Sequence, residues 1–131
     1  MFEILQHTAD VRLRVSASSV EELFRDAMRG MFAIMNPATE NDRREARLEI
    51  ESVDRTALLV DFLSEVLTRS HVDRVAFDDA TFESMTETNL RAEVHGHTAA
   101  RFEQDIKAVT YHEADVREVN GQWQTTLVFD I

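Results

Sequence analysis

The sequence predicts an α+β domain, with two amphipathic helices packed on a mostly antiparallel sheet of about seven strands, in a single unit spanning residues 1–131. Three observations predict it. Two stretches carry apolar residues at helical spacing behind a capping side chain. Around them, short stretches alternate apolar and polar residues with the period of a half-buried strand. Near the end, Asn120-Gly121 marks a two-residue hairpin loop, because a type I′ turn needs positive φ at both central residues. A chain of 131 residues, 44% of them hydrophobic, can bury one core.

The first strand lies in "ILQHTADVRLRV" at 4–15, where Val11, Leu13 and Val15 alternate with Arg12 and Arg14. Asp10 stands at its mouth, although aspartate is a poor strand residue; a turn or a solvated strand end would explain it. Ser18 is the expected N-cap of the first helix, with Glu21 in capping-box position. Val20, Leu23, Phe24, Ala27, Met28, Met31, Phe32 and Met35 then fall on one helical face, a methionine-rich stripe that reads as core, and Asn36-Pro37 ends the helix. After the charged loop "ATENDRREA", a short strand is expected around Leu48 and Ile50. Asp54 caps a second helix whose apolar pairs are Leu58/Leu59, Phe62/Leu63 and Val66/Leu67, with Asp61 pointing outward.

From Val75 the pattern is β. Leu90, Ala92 and Val94 alternate with Arg91, Glu93 and His95 until Gly96 breaks the run, and a loop is expected from there to residue 105. "DIKAVTYHEADVREV" reads as one long strand, and "QWQTTLVFDI" returns after the Asn120-Gly121 turn. That turn pairs Val119 with Gln122 and, in an unbroken ladder, Tyr111 with Asp130. Asp130, Tyr111, Val109 and Lys107 would then share a face; a bulge would reverse this parity.

Composition limits the function classes. Zero cysteines exclude disulfides, thiol catalysis and cysteine-ligated zinc. No stretch approaches the apolar length of a membrane span, and no secretory signal opens the chain, so a cytoplasmic protein without membrane contact is expected. Twenty-five acidic against fourteen basic residues give a net charge of −11, which opposes strong direct nucleic-acid binding. A basic protein partner or a metal cation suits this charge, as does a plain role in solubility. Thirteen of the basic residues are arginine, and Lys107 is the one lysine.

The closing "FDI" repeats the puzzle of Asp10. Asp130 is a second aspartate at the end of an apolar strand, and Ile131 adds a backbone carboxylate. If the strands bearing Asp10 and Asp130 are neighbours, three carboxylates meet. Each pair of charges at 4 Å repels by ~1 kcal/mol in water and ~4 at an effective dielectric of 20. A hard cation with oxygen ligands, Ca²⁺, Mg²⁺ or Mn²⁺, would relieve this, as would separation or protonation. His95, His97 and His112 suggest a zinc set, but His95 and His112 lie in separate strand candidates and no fourth ligand is spaced with them, so chance is the better reading.

"HTADV" at 7–11, "ELFRDAMRGMFAIM" at 22–35, "LLVDFLSEVL" at 58–67, "IKAVTYHE" at 106–113 and "VFDI" at 128–131 together resemble archease, in order and over the whole chain. The resemblance implies an accessory protein, not an enzyme, that activates an RtcB-type RNA ligase in tRNA splicing and repair. It would promote the ligase's metal-dependent guanylylation and restore it for multiple turnover. Carried over by position, the resemblance implies a divalent-cation site, Ca²⁺ foremost, at Asp10, Asp130 and the terminal Ile131, and a functional lysine at Lys107. His7 belongs to the motif and could ligate the metal, hydrogen-bond Asp10 or simply pack; the hydrogen bond is favoured, since metal ligands are usually oriented by such partners. The chain departs from the archease pattern at Gly96-His97, where Gly-Glu is common, and in the loop 97–105. Two alternatives stand beside this reading. One is a small metal-dependent phosphoester hydrolase using the same carboxylates and Lys107, for which no second metal cluster, phosphate-cradling loop or nucleophile–base pair is found. The other is an acidic, chaperone-like binding module.

Overall fold

The structure is a computed structural model and describes residues 1–6 and 10–131. Among these the order is β1 (Phe2–Gln6), β2 (Asp10–Ala17), α1 (Val20–Met35), β3 (Pro37–Thr39), β4 (Arg44–Glu51), α2 (Arg55–Asp73), β5 (Val75–Met85), β6 (Asn89–Phe102), β7 (Ala108–Thr110), β8 (Arg117–Val119) and β9 (Gln122–Asp130). The class is the expected one, but the strands form two antiparallel sheets. In the five-stranded sheet the order is β1-β2-β9-β7, with β8 also on β9; in the four-stranded sheet β6 carries β3, β4 and β5.

Both helices serve both sheets. α1 packs on β1, β2 and β9 and on β5, while α2 packs on β4, β5 and β6 and on β7. The apolar stripe of α1 and the three apolar pairs of α2 are buried, except that Val20 is half-buried. They join Leu13, Phe77 and Phe129 in one core. Because α2 meets two sheets, Val60 outside those pairs is buried as well. At its first turn Arg55 stacks 4.9 Å from the Trp123 ring centroid, tying α2 to β9.

The helix ends follow cap chemistry with one shift. Asp54 accepts a hydrogen bond from the Ala57 N–H at 2.8 Å, as expected. The N-cap of α1 is Ser19 rather than Ser18, its hydroxyl accepting from the Glu22 N–H at 3.2 Å. Among the described residues Glu21 makes no capping-box hydrogen bond. Glu22, in the box position for Ser19, instead turns its carboxylate to Arg25 and Arg29. Asn36 ends α1 in the left-handed region, its N–H donating to the Phe32 carbonyl.

Three further expectations are corrected. Gly96 does not break a run but lies inside the 14-residue β6, which absorbs most of the expected loop. A Cβ at Gly96 would sit 1.9 Å from the Ala76 carbonyl oxygen, where β5 bulges between Phe77 and Asp79. The glycine therefore reports a close backbone approach. Asp61 is half-buried rather than outward, accepting hydrogen bonds from Ser52 and Tyr111. The long strand before the hairpin is interrupted. The turn forms as expected, with Asn120 and Gly121 at φ 53° and 79° and Val119 opposite Gln122. Beyond Arg117, however, the six residues 111–116 stand against only Thr125, Thr126 and Leu127, and Glu113 turns through φ 63°. The three extra residues shift the register by an odd number and reverse the facing of everything before them.

Candidate functional site

The strands bearing Asp10 and Asp130 are antiparallel neighbours, and the two aspartates are direct partners in the β2–β9 ladder. The pleat explains where they point. Val11, Leu13 and Val15 face the core with Phe129 and Leu127, so the alternate residues Asp10, Arg12, Val128 and Asp130 share the opposite face. Directly opposed residues have Cα atoms about 4.5–5.5 Å apart. The two aspartates thus stand opposite each other at the sheet's end, on strands held in place by a buried inner face.

On the far side of β9 the partner of Asp130 is Ala108. The expected pairing of Tyr111 with Asp130 does not occur, because the bulge at 111–116 moves the ladder by three. Val109 accordingly faces the core, 8% exposed, opposite Phe129. Lys107 precedes β7, and its backbone N–H donates to the Asp130 carbonyl at 2.8 Å. That hydrogen bond places the lone lysine beside Asp130, with its side chain exposed.

Around this end of the sheet stand residues that sequence reasoning did not assemble. Tyr111 is 59% exposed, yet its hydroxyl donates to Asp61 on α2. That hydrogen bond, with burial and the charge of Asp61 adding to it, raises the phenol's pKa above its ordinary value. It ties the segment just after β7 to α2. Arg12, two residues along the face from Asp10, pairs with Glu113 at 2.5 Å in the turn of the bulge. The signal for these contacts was faint: only the long-range register brings 12 to 113 and 61 to 111.

The donor set fits a cation. Asp10 is half-buried, and its Oδ1 is fully buried with no hydrogen-bond partner among the described residues. An unsatisfied buried polar atom costs about 1–3 kcal/mol, more when charged. Asp130 is exposed, and Ile131 follows it half-buried against the core. All the donors are oxygens, the preference of Ca²⁺ and Mg²⁺. His7, the expected hydrogen-bond partner of Asp10, lies outside the described residues.

The histidines sit elsewhere. His97 approaches the Asp42 carbonyl and lies 3.5 Å from Asp78; His95 lies 3.5 Å from Glu93; His112 is in the bulge of the other sheet.

Comparison with known proteins gives a consistent result. Residues 2–131 match the Archease protein family (MTH1598/TM1083). The archease of Methanosarcina mazei is 33% identical over 139 residues, covering 99% of this chain and 95% of its own. That of Thermococcus gammatolerans is 30% identical, covering 99% and 98%. Among solved structures, Methanobacterium thermoautotrophicum protein 1598 superposes with TM-score 0.73 at 22% identity, covering 99% of this chain and 98% of its own. A Thermotoga maritima protein described as an archease and possible chaperone superposes with TM-score 0.74 at 20% identity, covering 100% and 98%. At these identities the two structures speak for the fold alone.

Proposed function

The chain belongs to the archease family, and from that premise we propose that it activates an RtcB-type RNA ligase in tRNA splicing without catalysing ligation itself. It promotes the ligase's metal-dependent guanylylation and its repeated turnover, acting in the cytoplasm. Asp10 and Asp130 hold a divalent cation, Ca²⁺ in the first place, with Mg²⁺ or Mn²⁺ as substitutes. Where Ile131 ends the chain, its α-carboxylate is a third donor. The bound cation supplies positive charge, which cancels the repulsion between the carboxylates and fixes the ends of β2 and β9 against each other.

The observation that carries this reading is the in-register pairing of Asp10 with Asp130, with a buried Oδ1 left without a partner among the described residues and Lys107 one backbone hydrogen bond away. The exposed ammonium of Lys107 acts on the ligase. A compact ammonium on a flexible stem donates to one acceptor at a time, which a planar guanidinium does not reproduce. The net charge of −11 keeps the protein off RNA and directs it to the ligase. A chaperone-like role, suggested by the description of the Thermotoga protein, would act on unrelated aggregating proteins and need neither the aspartates nor Lys107.

The test is GMP transfer to the cognate ligase, followed with and without substoichiometric protein. Wild type speeds guanylylation and restores repeated turnover. Lys107→Arg melts at the wild-type temperature and loses most of the stimulation. Identical ligase kinetics with and without the protein would refute the proposal.

A further inference from the structure

The outer face of the four-stranded sheet carries a second metal-ligand constellation that the archease reading does not use. Glu93 and His95 are two apart on β6 and so share a face, and Glu45 on β4 is the direct cross-strand partner of His95. One ligand atom from each of the three lies within 4.8 Å of the others. Two ligands at i and i+2 of one strand with a third across the ladder is a geometry a sheet holds rigidly, since all three Cβ atoms point the same way.

The charges around it are unusual for this face. Arg47, directly opposite Glu93, is turned to Glu83 at 2.6 Å, and Arg91 is turned to Glu49 at 3.3 Å. On the neighbouring strand β5, Asp79 opposite His95 is engaged by Arg29 at 3.2 Å. Among the described residues neither Glu45 nor Glu93 has an arginine or lysine within 4 Å, and the imidazole of His95 is the one basic group beside them. Glu93 and His95 are about 30% and 28% exposed, which holds the side chains in place while leaving room for water ligands. Sequence spacing could not reveal the set, because Glu45 lies fifty residues from His95.

We propose that Glu45, Glu93 and His95 bind a divalent transition metal of the Zn²⁺ or Mn²⁺ class, with water completing the coordination. The imidazole nitrogen excludes Ca²⁺ and Mg²⁺ as the preferred ions and separates this site from the all-oxygen donors of Asp10 and Asp130. Bound there, the metal bridges β4 to β6.

The probe is zinc chloride titrated calorimetrically into the full chain, for wild type, Glu45→Gln, His95→Gln and Asp10→Asn. All three positions lie at the surface or half-buried, and melting in chelator checks that each variant folds. Zn²⁺ binds wild type and Asp10→Asn with one equal high-affinity site, and at least tenfold more weakly to Glu45→Gln and His95→Gln. The exposed, isosteric Glu45→Gln carries the test if His95→Gln melts early. Absence of Zn²⁺ binding to wild type, or equal affinity in Glu45→Gln, overturns the proposal. Loss of binding in Asp10→Asn alone overturns it too, since the Zn²⁺ would then lie at the other sheet. None of these outcomes depends on ligase activation.

Discussion

Both sheets carry carboxylates on their outer faces, and they surround them differently. On the four-stranded sheet, arginines are threaded among the glutamates, as in the Arg47–Glu83 and Arg91–Glu49 pairs. Such exposed pairs contribute about 0.2–1 kcal/mol each, and solvent does the rest. On the five-stranded sheet, Asp10 and Asp130 oppose each other in register, and the third residue across is Ala108. Like charges placed directly opposite destabilise a ladder, and here one oxygen is also buried. The number of acidic residues therefore does not mark a site. What marks it is a carboxylate whose cross-strand neighbour is another carboxylate. The corner formed by Glu45, Glu93 and His95 is a different case: the cross-strand neighbour of Glu45 is the imidazole of His95, so a nitrogen stands among its ligand atoms.

Two glycines probe close packing at the two sheets, Gly96 between strands β5 and β6 and Gly30 where α1 meets Leu13 of β2. Gly96→Val has the largest expected effect. The new Cβ meets the Ala76 carbonyl oxygen at 1.9 Å and the Phe77 Cα at 2.8 Å, and neither backbone atom can rotate away. Urea unfolding should show a loss at or above the upper end of the usual overpacking cost, about 3 kcal/mol. Gly30→Ala on α1 should cost much less. Its Cβ meets the Leu13 Cδ2 at 2.6 Å, the movable end of a side chain, and replacing a helical glycine by alanine returns about 1 kcal/mol of propensity. The net change should lie within about 1 kcal/mol of zero. Equal losses at the two positions would mean that β5 and β6 approach each other less closely than described.

The smallest effect concerns a carboxylate satisfied without any cation. Asp42 accepts hydrogen bonds from the Thr98 N–H at 2.9 Å and the Thr98 hydroxyl at 2.5 Å. These bonds hold its pKa below the ordinary carboxylate value. A depressed folded-state pKa means that the contribution to stability is present above the unfolded pKa and is lost as pH falls through the folded one. Melting between about pH 5 and pH 2 should therefore fall less steeply for Asp42→Asn than for wild type. Parallel curves would show that Thr98 does not hold this carboxylate in solution.

Local chemistry made much of this legible. The caps at Asp54 and Asn36, the buried stripes of both helices and the Asn120-Gly121 turn follow from residues within a few positions of one another. The Asp10–Asp130 juxtaposition needed only that two apolar strands be neighbours. What failed to show was register. The bulge at 111–116 has no apolar alternation to announce it, and its excess of three residues over the facing strand moved Val109 to the core and Ala108 beside Asp130. Bulges between Phe77 and Asp79 and between Phe82 and Ser84 erased the alternation of β5. β1 was missed because Leu5, on the face with Glu3 and Arg12, breaks the pattern of an edge strand. Asp61 looked like a surface residue because its partners, Ser52 and Tyr111, reach it from outside its helix.

The central claim is that Asp10 and Asp130 act as one cation site, and thermal melting in Ca²⁺ against chelator tests it most directly. At a cation concentration about 100 times Kd, mass action adds about 2.7 kcal/mol to the folded state, a rise on the order of 8 °C for a domain of this size. Wild type should show that rise. Asp10→Asn and Asp130→Asn should melt in chelator at or above the wild-type temperature, because a repulsion has been removed, and should gain little from Ca²⁺. A Ca²⁺-dependent rise of equal size in wild type and both variants, or no rise in wild type, would contradict the claim.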